Sequence, residues 1–249
     1  MFYQSFHQTY SSIPGFSYLE SFAIWDFLLD VQHEFKIGGD LMEIGVYYGK
    51  SAALMAMHAQ KDEEVFLVDC TDFVDHAKCT VEKIKGEKVS VLKVKSSDPR
   101  VWKLASTRAR SLRWIHIDGD HKAETVQNDL LLASALLNDE GIICVDDFFN
   151  SRYPGLTYAV CIFLEQHRNE LQMFLCGFNK VYLVRPIQLH RHLHAVRDKL
   201  GDRLANLGFN DFTIYKTDLP GAINCFGIRE RWEKYVYYGL DEDPELIVC

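Results

Sequence analysis

Short apolar runs alternate along this chain with stretches whose apolar residues recur at helical spacing. The clearest unit spans Arg113 to Asn150. Trp114–Ile117 and Ile142–Val145 are apolar runs of strand length. Between them Val126, Leu130, Ala133 and Leu137 keep helical spacing as far as Gly141. Two strands joined through a helix in this way run parallel and side by side.

The same rhythm extends in both directions. Leu19, Phe22, Ala23, Trp25, Leu28 and Leu29 predict a helix over Tyr18–Phe35, stopped by Gly38 and Gly39. Leu41–Gly45 is a strand that runs into the loop Gly45-Val46-Tyr47-Tyr48-Gly49-Lys50-Ser51, and a helix follows through Ala52–Gln60. Val65–Val68 is the next strand, ending in Asp69. Then come a Lys-rich helix over Asp75–Lys85, a strand over Val89–Val94, a break at Ser96–Pro99 and a short helix over Val101–Arg110. Beyond the central unit, Leu156–Gln166 is helical and Leu171–Cys176 and Lys180–Val184 are strand-like. Pro186–Leu207 is a His-rich helical segment whose His190, His192 and His194 are expected on the surface. Phe212–Tyr215 and Ile223–Ile228 offer the last strands, and residues 232–249 form an aromatic, then acidic tail. Residues 1–17 hold Phe2, Tyr3, Phe6, Tyr10 and Phe16 in no regular pattern, which predicts an arm over a pocket or a partner subunit, or a surface tail.

This alternation predicts an α/β fold of three layers, doubly wound around a mostly parallel sheet. No repeat, linker or low-complexity stretch divides the 249 residues, so one domain is expected. Its parts are an N-terminal arm and helix (1–37), a core (38–185) and a C-terminal helix with the last strands (186–249). A net charge of −8 argues against a general nucleic-acid binder, which carries a basic face. The seven cysteines include no C-x-x-C pair, and Cys144 and Cys176 sit in apolar runs. That suits free thiols in a reducing, cytoplasmic compartment. The opening residues have neither the basic nor the apolar region of a secretory signal, and no apolar run approaches the ~18 residues that cross a bilayer.

The chemistry gathers at the strand ends. The two central strands end in Asp118, with Asp120 and His121, and in Asp146 with Asp147. Both ends emerge at the sheet edge where open α/β folds bind ligands. Carboxylates converging there are costly to hold without a cation, so a metal-assisted site is expected. Carboxylate donors without cysteine select a hard divalent ion, Mg²⁺ by default. Such an ion on an acceptor hydroxyl would lower its pKa while His121 removes the proton. Asp146 and Asp147 are neighbours, so both reach one ion only if the chain bends between them. Asp120 and Asp129 read better as capping or surface groups than as ligands. His121 has a second reading as a helix cap, and Asn150 one as a turn initiator. At the first strand, the glycines let backbone amides approach a ligand at a helix N-terminus. Glu43 and Asp69 add acids at the ends of the first and second strands, the second being where dinucleotide-type folds hold ribose hydroxyls. A hydroxyl or amide in the Ser96–Pro99 break, such as Ser97, could reach an adenine edge, or else Ser97 or Asp98 caps the next helix.

Three segments, E-I-G-V-Y-Y-G-K-S at 43–51, I-D-G-D-H at 117–121 and V-D-D-F-F-N at 145–150, resemble class I S-adenosylmethionine-dependent methyltransferases. More narrowly, they resemble the branch of macrocin-type sugar O-methyltransferases and cephalosporin-hydroxylase-like proteins. The resemblance covers residues 38–185 and implies a Rossmann-like, seven-stranded sheet. It also implies roles. Gly45 and Gly49 would wrap the methionine part of S-adenosylmethionine, with Glu43 near its ammonium and Asp69 on the ribose. Ser51, Ser97 and Asp118 complete the cofactor set. Asp118, Asp146 and Asp147 would hold the metal, and His121 matches the general base. Related catechol-type enzymes have Lys and Asn where this chain has His121 and Asp147, so this set is more acidic.

The implied activity is O-methylation of a small-molecule hydroxyl, on a sugar, a phenol or a natural-product ring, with no nucleic-acid or membrane partner. The arm is compatible with a homodimer. Two other readings stand beside it. One is a non-methylating, cofactor-binding relative. The other is a nicotinamide-dependent oxidoreductase, against which the loop lacks G-x-G-x-x-G spacing.

Overall fold

The computed structural model describes residues 1–217 and 224–231. The expected tail at 232–249, and the start of the strand expected from Ile223, lie outside them.

The first half of the sheet follows the predicted rhythm. Strands β1 (Asp40–Ile44), β2 (Val65–Val68), β3 (Val89–Leu92), β4 (Leu112–Ile117) and β5 (Leu137–Val145) are all parallel. They are linked by helices α3 (Lys50–His58), α4 (Phe73–Lys85), α5 (Pro99–Thr107) and α6 (Ala123–Leu136). After helix α7 (Pro154–Gln166), the hairpin β6 (Gln172–Gly177) and β7 (Lys180–Val184) adds antiparallel strands, β7 pairing with β5. Strands β8 (Phe212–Lys216) and β9 (Phe226–Glu230) extend the sheet from β6. Among the described residues the sheet thus has nine strands rather than seven, in the order β3-β2-β1-β4-β5-β7-β6-β9-β8. The extra pair is the C-terminal hairpin, which covers the open edge of β6. Strand order reverses between β1 and β4, and this is the crevice that open α/β sheets offer to ligands.

Buried side chains fill both faces. One cluster sets helix α2 (Leu19–Glu34) and α3 against the sheet, with Trp25 edge-on to Trp114 at 5.1 Å. The other packs α6 and α7 on Ile115, Ile143 and Leu183. Arg113 ties β4 to α2 by exchanging 2.7 Å hydrogen bonds with Gln32, and its guanidinium pairs with Glu63. No described helix is long and apolar enough to cross a membrane.

Four local expectations need correction. Residues 1–17 contain a core element: α1 (Tyr3–Tyr10) buries Tyr3 and Phe6, and the Phe2 and Tyr3 amides donate to the buried Asp26 carboxylate at 2.6 and 3.1 Å. Tyr3, Phe6 and Tyr10 do lie on one helical face, but the flanking Phe2 and Phe16 obscure that spacing. In the His-rich segment, helix α8 (Leu189–Ala195) buries His192 against Phe174, while His190 and His194 stay exposed. Asp129 is buried on α6 rather than exposed. Finally, α6 ends at Leu136 and not at Gly141. A side chain at Gly141 would meet the Leu112 carbonyl at 2.9 Å, and β5 shifts register there to pair with β4.

Candidate active site

At the reversal point the ends of β1, β4 and β5 meet. The Asp118 amide donates to the Ile44 carbonyl (2.7 Å) and the Asp146 amide to the Ile117 carbonyl (2.9 Å), which fixes the order of the acidic ends. Above them lies a cavity of about 850 Å³. Residues 14–18 of the arm form one wall, the glycine loop a second, and the acidic strand ends the floor.

The glycine loop is shaped by the protein itself. Gly45 has φ +81, and a Cβ there would lie 1.9 Å from the Asp118 carbonyl oxygen. Gly49 has φ +84, and a Cβ there would lie 2.7 Å from Ala77 Cβ. Only glycine permits both the left-handed backbone and the close approach. Asp69 then braces the loop, one carboxylate oxygen accepting from the amides of Val46 (2.8 Å) and Tyr47 (2.9 Å). Its other oxygen accepts from the Thr71 amide (2.8 Å) and hydroxyl (2.7 Å).

Beneath the floor runs a buried chain of alternating charge. Glu43 lies 2.6 Å from His116 Nδ1, a pair set by the β1–β4 register. His116 Nε2 is 3.7 Å from Asp146 Oδ2, beyond hydrogen-bond distance, and that oxygen accepts from Lys180 Nζ. Burial pulls the His116 pKa down, but Asp146 and Glu43 outweigh it and push it up to about 9. Burial likewise opposes ionisation of Asp146, yet Lys180 and His116 hold its carboxyl well below the usual range. Asp118, enclosed except toward the cavity and beside Asp146, is pushed well above that range, by burial first and by the Asp146 charge second.

Asp147 faces the cavity differently. Its φ of +56 supplies the bend that two adjacent acids require. The bend turns its side chain away from Asp146 toward His121, whose Nε2 lies 2.5 Å from Asp147 Oδ2 without hydrogen-bond alignment. Asp147 Oδ1 accepts from Asn150 (2.7 Å) and Asn179 (2.6 Å). Helix α6 has no side-chain cap, so His121 is not the cap, and its ring lies parallel to Tyr153 at 4.0 Å.

Of the expected site residues, Ser51, Asp118, His121, Asp146 and Asp147 line the cavity. Gly45, Gly49 and Asp69 build its loop. Glu43 is fully buried behind His116, with one carboxylate oxygen unpartnered. Ser97 is exposed, and it is Asp98 that caps α5, accepting from the Arg100 amide at 2.9 Å.

For a metal, the donor atoms at this cavity fall into two groups that share Asp118: His116, Asp118 and Asp146 within, and Asp118, His121 and Asp147 without. Within each group they lie inside 4.8 Å of one another. The inner group already holds a cation, Lys180, and therefore does not fit an ion. The outer group, two carboxylates and an imidazole facing the cavity, does fit one.

Sequence reasoning passed over His116, Tyr153, Asn179 and Lys180. The signal available was a charged residue opening an otherwise apolar strand (Lys180-Val181-Tyr182-Leu183-Val184) and a histidine inside another (Trp114-Ile115-His116-Ile117).

Comparison with known proteins agrees with this fold. Residues 42–148 match a family model described as a methyltransferase domain, and they contain the glycine loop and every expected ligand. No curated protein sequence is significantly similar to the chain. Among solved structures, the O-methyltransferase from Bacillus cereus in complex with SAH matches at 15% identity and TM-score 0.55, over 74% of this chain and 90% of that one. The O-methyltransferase NovP matches at 18% and 0.52, over 67% and 80%. CalS11, a TDP-rhamnose 3'-O-methyltransferase of calicheamicin biosynthesis, matches at 14% and 0.52, over 65% and 79%. At such identities the likeness is one of fold, the Rossmann-like α/β fold that these O-methyltransferases share.

Proposed function

We propose that this methyltransferase domain transfers a methyl group from S-adenosylmethionine to a hydroxyl of a small molecule, with His121 as general base. The observation that carries the proposal is the place of His121. Its ring is fixed by Tyr153 and Asp147 at the cavity floor, across from a glycine loop whose shape is set by Asp69. Ser51 and the backbone of the glycine loop at Val46 and Tyr47 line the side of the cavity suited to the amino-acid part of the cofactor. When bound, S-adenosylmethionine supplies a methyl group activated on a sulfonium, which leaves as the thioether once the methyl has passed to oxygen. The residues of the chain have the remaining tasks. His121 takes the hydroxyl proton, Asp147 steadies the resulting imidazolium, and the rings of Tyr18 and Tyr153 offer apolar walls to the acceptor. A sugar, a phenol or a natural-product ring suits a cavity of about 850 Å³.

A second reading concerns Mg²⁺, and the spacing of the outer donors favours it. Asp118, His121 and Asp147 would hold the ion; bound there, it would supply a Lewis acid that acidifies the acceptor hydroxyl. It would do so at the cost of the base, because an imidazole that coordinates an ion cannot also accept a proton. Metal assistance and a His121 base are therefore alternatives in this geometry.

The deciding experiment is a thermal-unfolding series with S-adenosylhomocysteine, with NAD⁺ as control, followed by an acceptor screen with Mg²⁺ or with chelator. Ligand at a hundred times its Kd adds ~2.7 kcal/mol. A shift with the nucleoside and turnover in chelator is the expected result. No shift would remove the cofactor assignment. A shift with no turnover of any acceptor would favour a non-methylating relative, and turnover only with Mg²⁺ would favour the second reading.

A further inference from the structure

The β6–β7 turn sets two neighbouring side chains on two neighbouring carboxylates. Phe178 and Asn179 both take left-handed backbone, at φ 47 and 67, which closes the strand pair through a two-residue turn. Asn179 donates to Asp147 Oδ1 at 2.6 Å, and Lys180, the first residue of β7, donates to Asp146 Oδ2. The turn is itself pinned, since the Ser21 hydroxyl donates to the Phe178 carbonyl at 2.8 Å. The Lys180 side chain is 2% exposed. Its ammonium stands 5.6 Å from the centroid of the Trp25 ring and faces the same cavity as Asp118 and His121.

A buried carboxylate without a counter-charge is strongly unfavourable, and removing one partner of such a pair is far worse than never having built it. In an all-carboxylate cluster an ion from solution meets that need. Here the chain meets it. Glu43, His116, Asp146 and Lys180 form a line in which acidic and basic groups alternate. Asp146 Oδ1 accepts from the Asp147 amide at 2.8 Å and Oδ2 from Lys180, so a divalent ion on Asp146 would have to compete with that amide or with an ammonium that is covalently tethered and enclosed by Trp25 and the pinned turn.

We infer that Lys180 is the resident cation of this site. It occupies the place beside Asp146 that a metal would take, positions Asp146 at the cavity floor, and withholds Asp146 from any ion the outer group admits. The inference rests on the methyl-transfer reading for its purpose but not for its test, which reads ion binding alone. Lys180 is a positioning residue on this account, touching Asp146 and not the acceptor.

The test uses Mn²⁺ as probe, its binding to the full-length protein followed by the loss of the free-ion paramagnetic signal, together with unfolding temperatures with and without the ion. The wild type is compared with Lys180→Met, Asp146→Asn and the double variant. Lys180→Met frees Asp146 and is expected to bind Mn²⁺ at least about tenfold more tightly than wild type, with an unfolding temperature that the ion restores. A merely structural lysine would lower that temperature without creating an ion site. The double variant removes both charges, so it is expected to fold without the ion and to lose the gained affinity. Equal Mn²⁺ affinity in wild type and Lys180→Met, or undiminished affinity in the double variant, would overturn the inference. Should Lys180→Met alone not fold, the comparison of wild type with Asp146→Asn decides. Unchanged affinity supports a carboxylate already occupied by Lys180, and a drop shows Asp146 to be an ion ligand despite Lys180. Failure here leaves S-adenosylhomocysteine binding and turnover untouched, so it is distinguishable from failure of the proposed function.

Discussion

His121 lies flat against Tyr153, with ring centroids 4.0 Å apart and planes 8° from parallel. Its Nε2 is 2.5 Å from Asp147 Oδ2. A ring held on one face by stacking and at one edge by a carboxylate has already lost the rotational freedom that a general base must otherwise give up in the transition state.

If that ring is the base, His121→Asn lowers kcat by roughly 10²–10⁴ while the affinity for S-adenosylhomocysteine changes by no more than about twofold. Tyr153→Phe keeps the stack and stays near wild type. Tyr153→Ala releases the ring and lowers kcat by on the order of tenfold. Steady-state rates on the first acceptor found, with calorimetric binding of the nucleoside product, check both. Undiminished turnover in His121→Asn would remove His121 from the chemistry.

Asp69 is expected to matter for a different reason from the one its motif suggests. Both of its carboxylate oxygens are engaged by the protein, with Val46, Tyr47 and Thr71 as donors. Asp69→Ala therefore loosens the loop as well as removing a ribose acceptor. The Kd for S-adenosylhomocysteine should rise at least about tenfold, with a stability loss of about 1–3 kcal/mol from unsatisfied amides. Asp69→Asn keeps one acceptor oxygen and should fall between. Calorimetric titration of both variants measures the order.

The glycines of the same loop follow a parallel logic. A methyl group at Gly45 would fall 1.9 Å from the Asp118 carbonyl oxygen, so Gly45→Ala must push β1 away from β4 at the point where the acidic ends assemble. The expected result is a loss of more than about 2 kcal/mol in denaturant unfolding, from strain and the left-handed backbone together. A Gly45→Ala protein of wild-type stability would show that the loop has room that the structure does not give it.

Much of this was legible in the chain, and what was not has identifiable causes. The parallel half of the sheet, the glycine loop and the acidic strand ends follow from local pattern, because each strand ends in the residues that do its chemistry. Lys180 was hidden because its partner Asp146 is 34 residues away in the chain and is met only through the register of β7 against β5. His116 was hidden for the same reason, its pairing with Glu43 depending on how β1 sits beside β4. Helix α1 was obscured by apolar residues outside its buried face, and its anchor is a carboxylate, Asp26, on another helix. Asp129 has polar neighbours in sequence, which suggest a capping or surface group, although helical phase turns it inward. Contacts set by tertiary register leave no periodic trace.

Two buried histidines give opposite pH signatures. His116 is pushed up to about 9 by Asp146 and Glu43 against the pull of burial. Its stabilising contribution is complete below the ordinary value near 6.5 and is lost as pH rises through 9. His192 is pulled down to about 4, chiefly by burial. The unfolded chain therefore takes up its proton first as pH falls, and stability is lost between about 6.5 and 4. Unfolding temperatures of wild type against His116→Gln should converge between pH 6.5 and 9, a change of up to roughly 3 kcal/mol. Against His192→Gln, the wild type should lose ground only below about pH 6.5. A gap that does not depend on pH would contradict either assignment.

Asp129 offers the last test, in which a substitution should improve the protein. Its carboxyl is pushed up to about 6, by burial first and by the Asp120 charge second, against the help of a hydrogen bond from Ser96. One of its oxygens is buried without a partner. At neutral pH the folded chain thus carries a charge it has poorly solvated, a cost the unfolded chain does not bear. Below about pH 6 the folded form takes up the proton first and the cost is relieved, so the sign is opposite to that of a salt-bridged acid. Asp129→Asn keeps the shape and the link to Ser96 while removing the charge. It is expected to stabilise the protein at pH 7.5 by up to roughly 3 kcal/mol, a rise of several degrees in Tm for a chain of about this size. The advantage should shrink as pH falls from 6 toward 4. A variant no more stable than wild type at pH 7.5 would mean that a cation or donor from solution already meets the Asp129 charge.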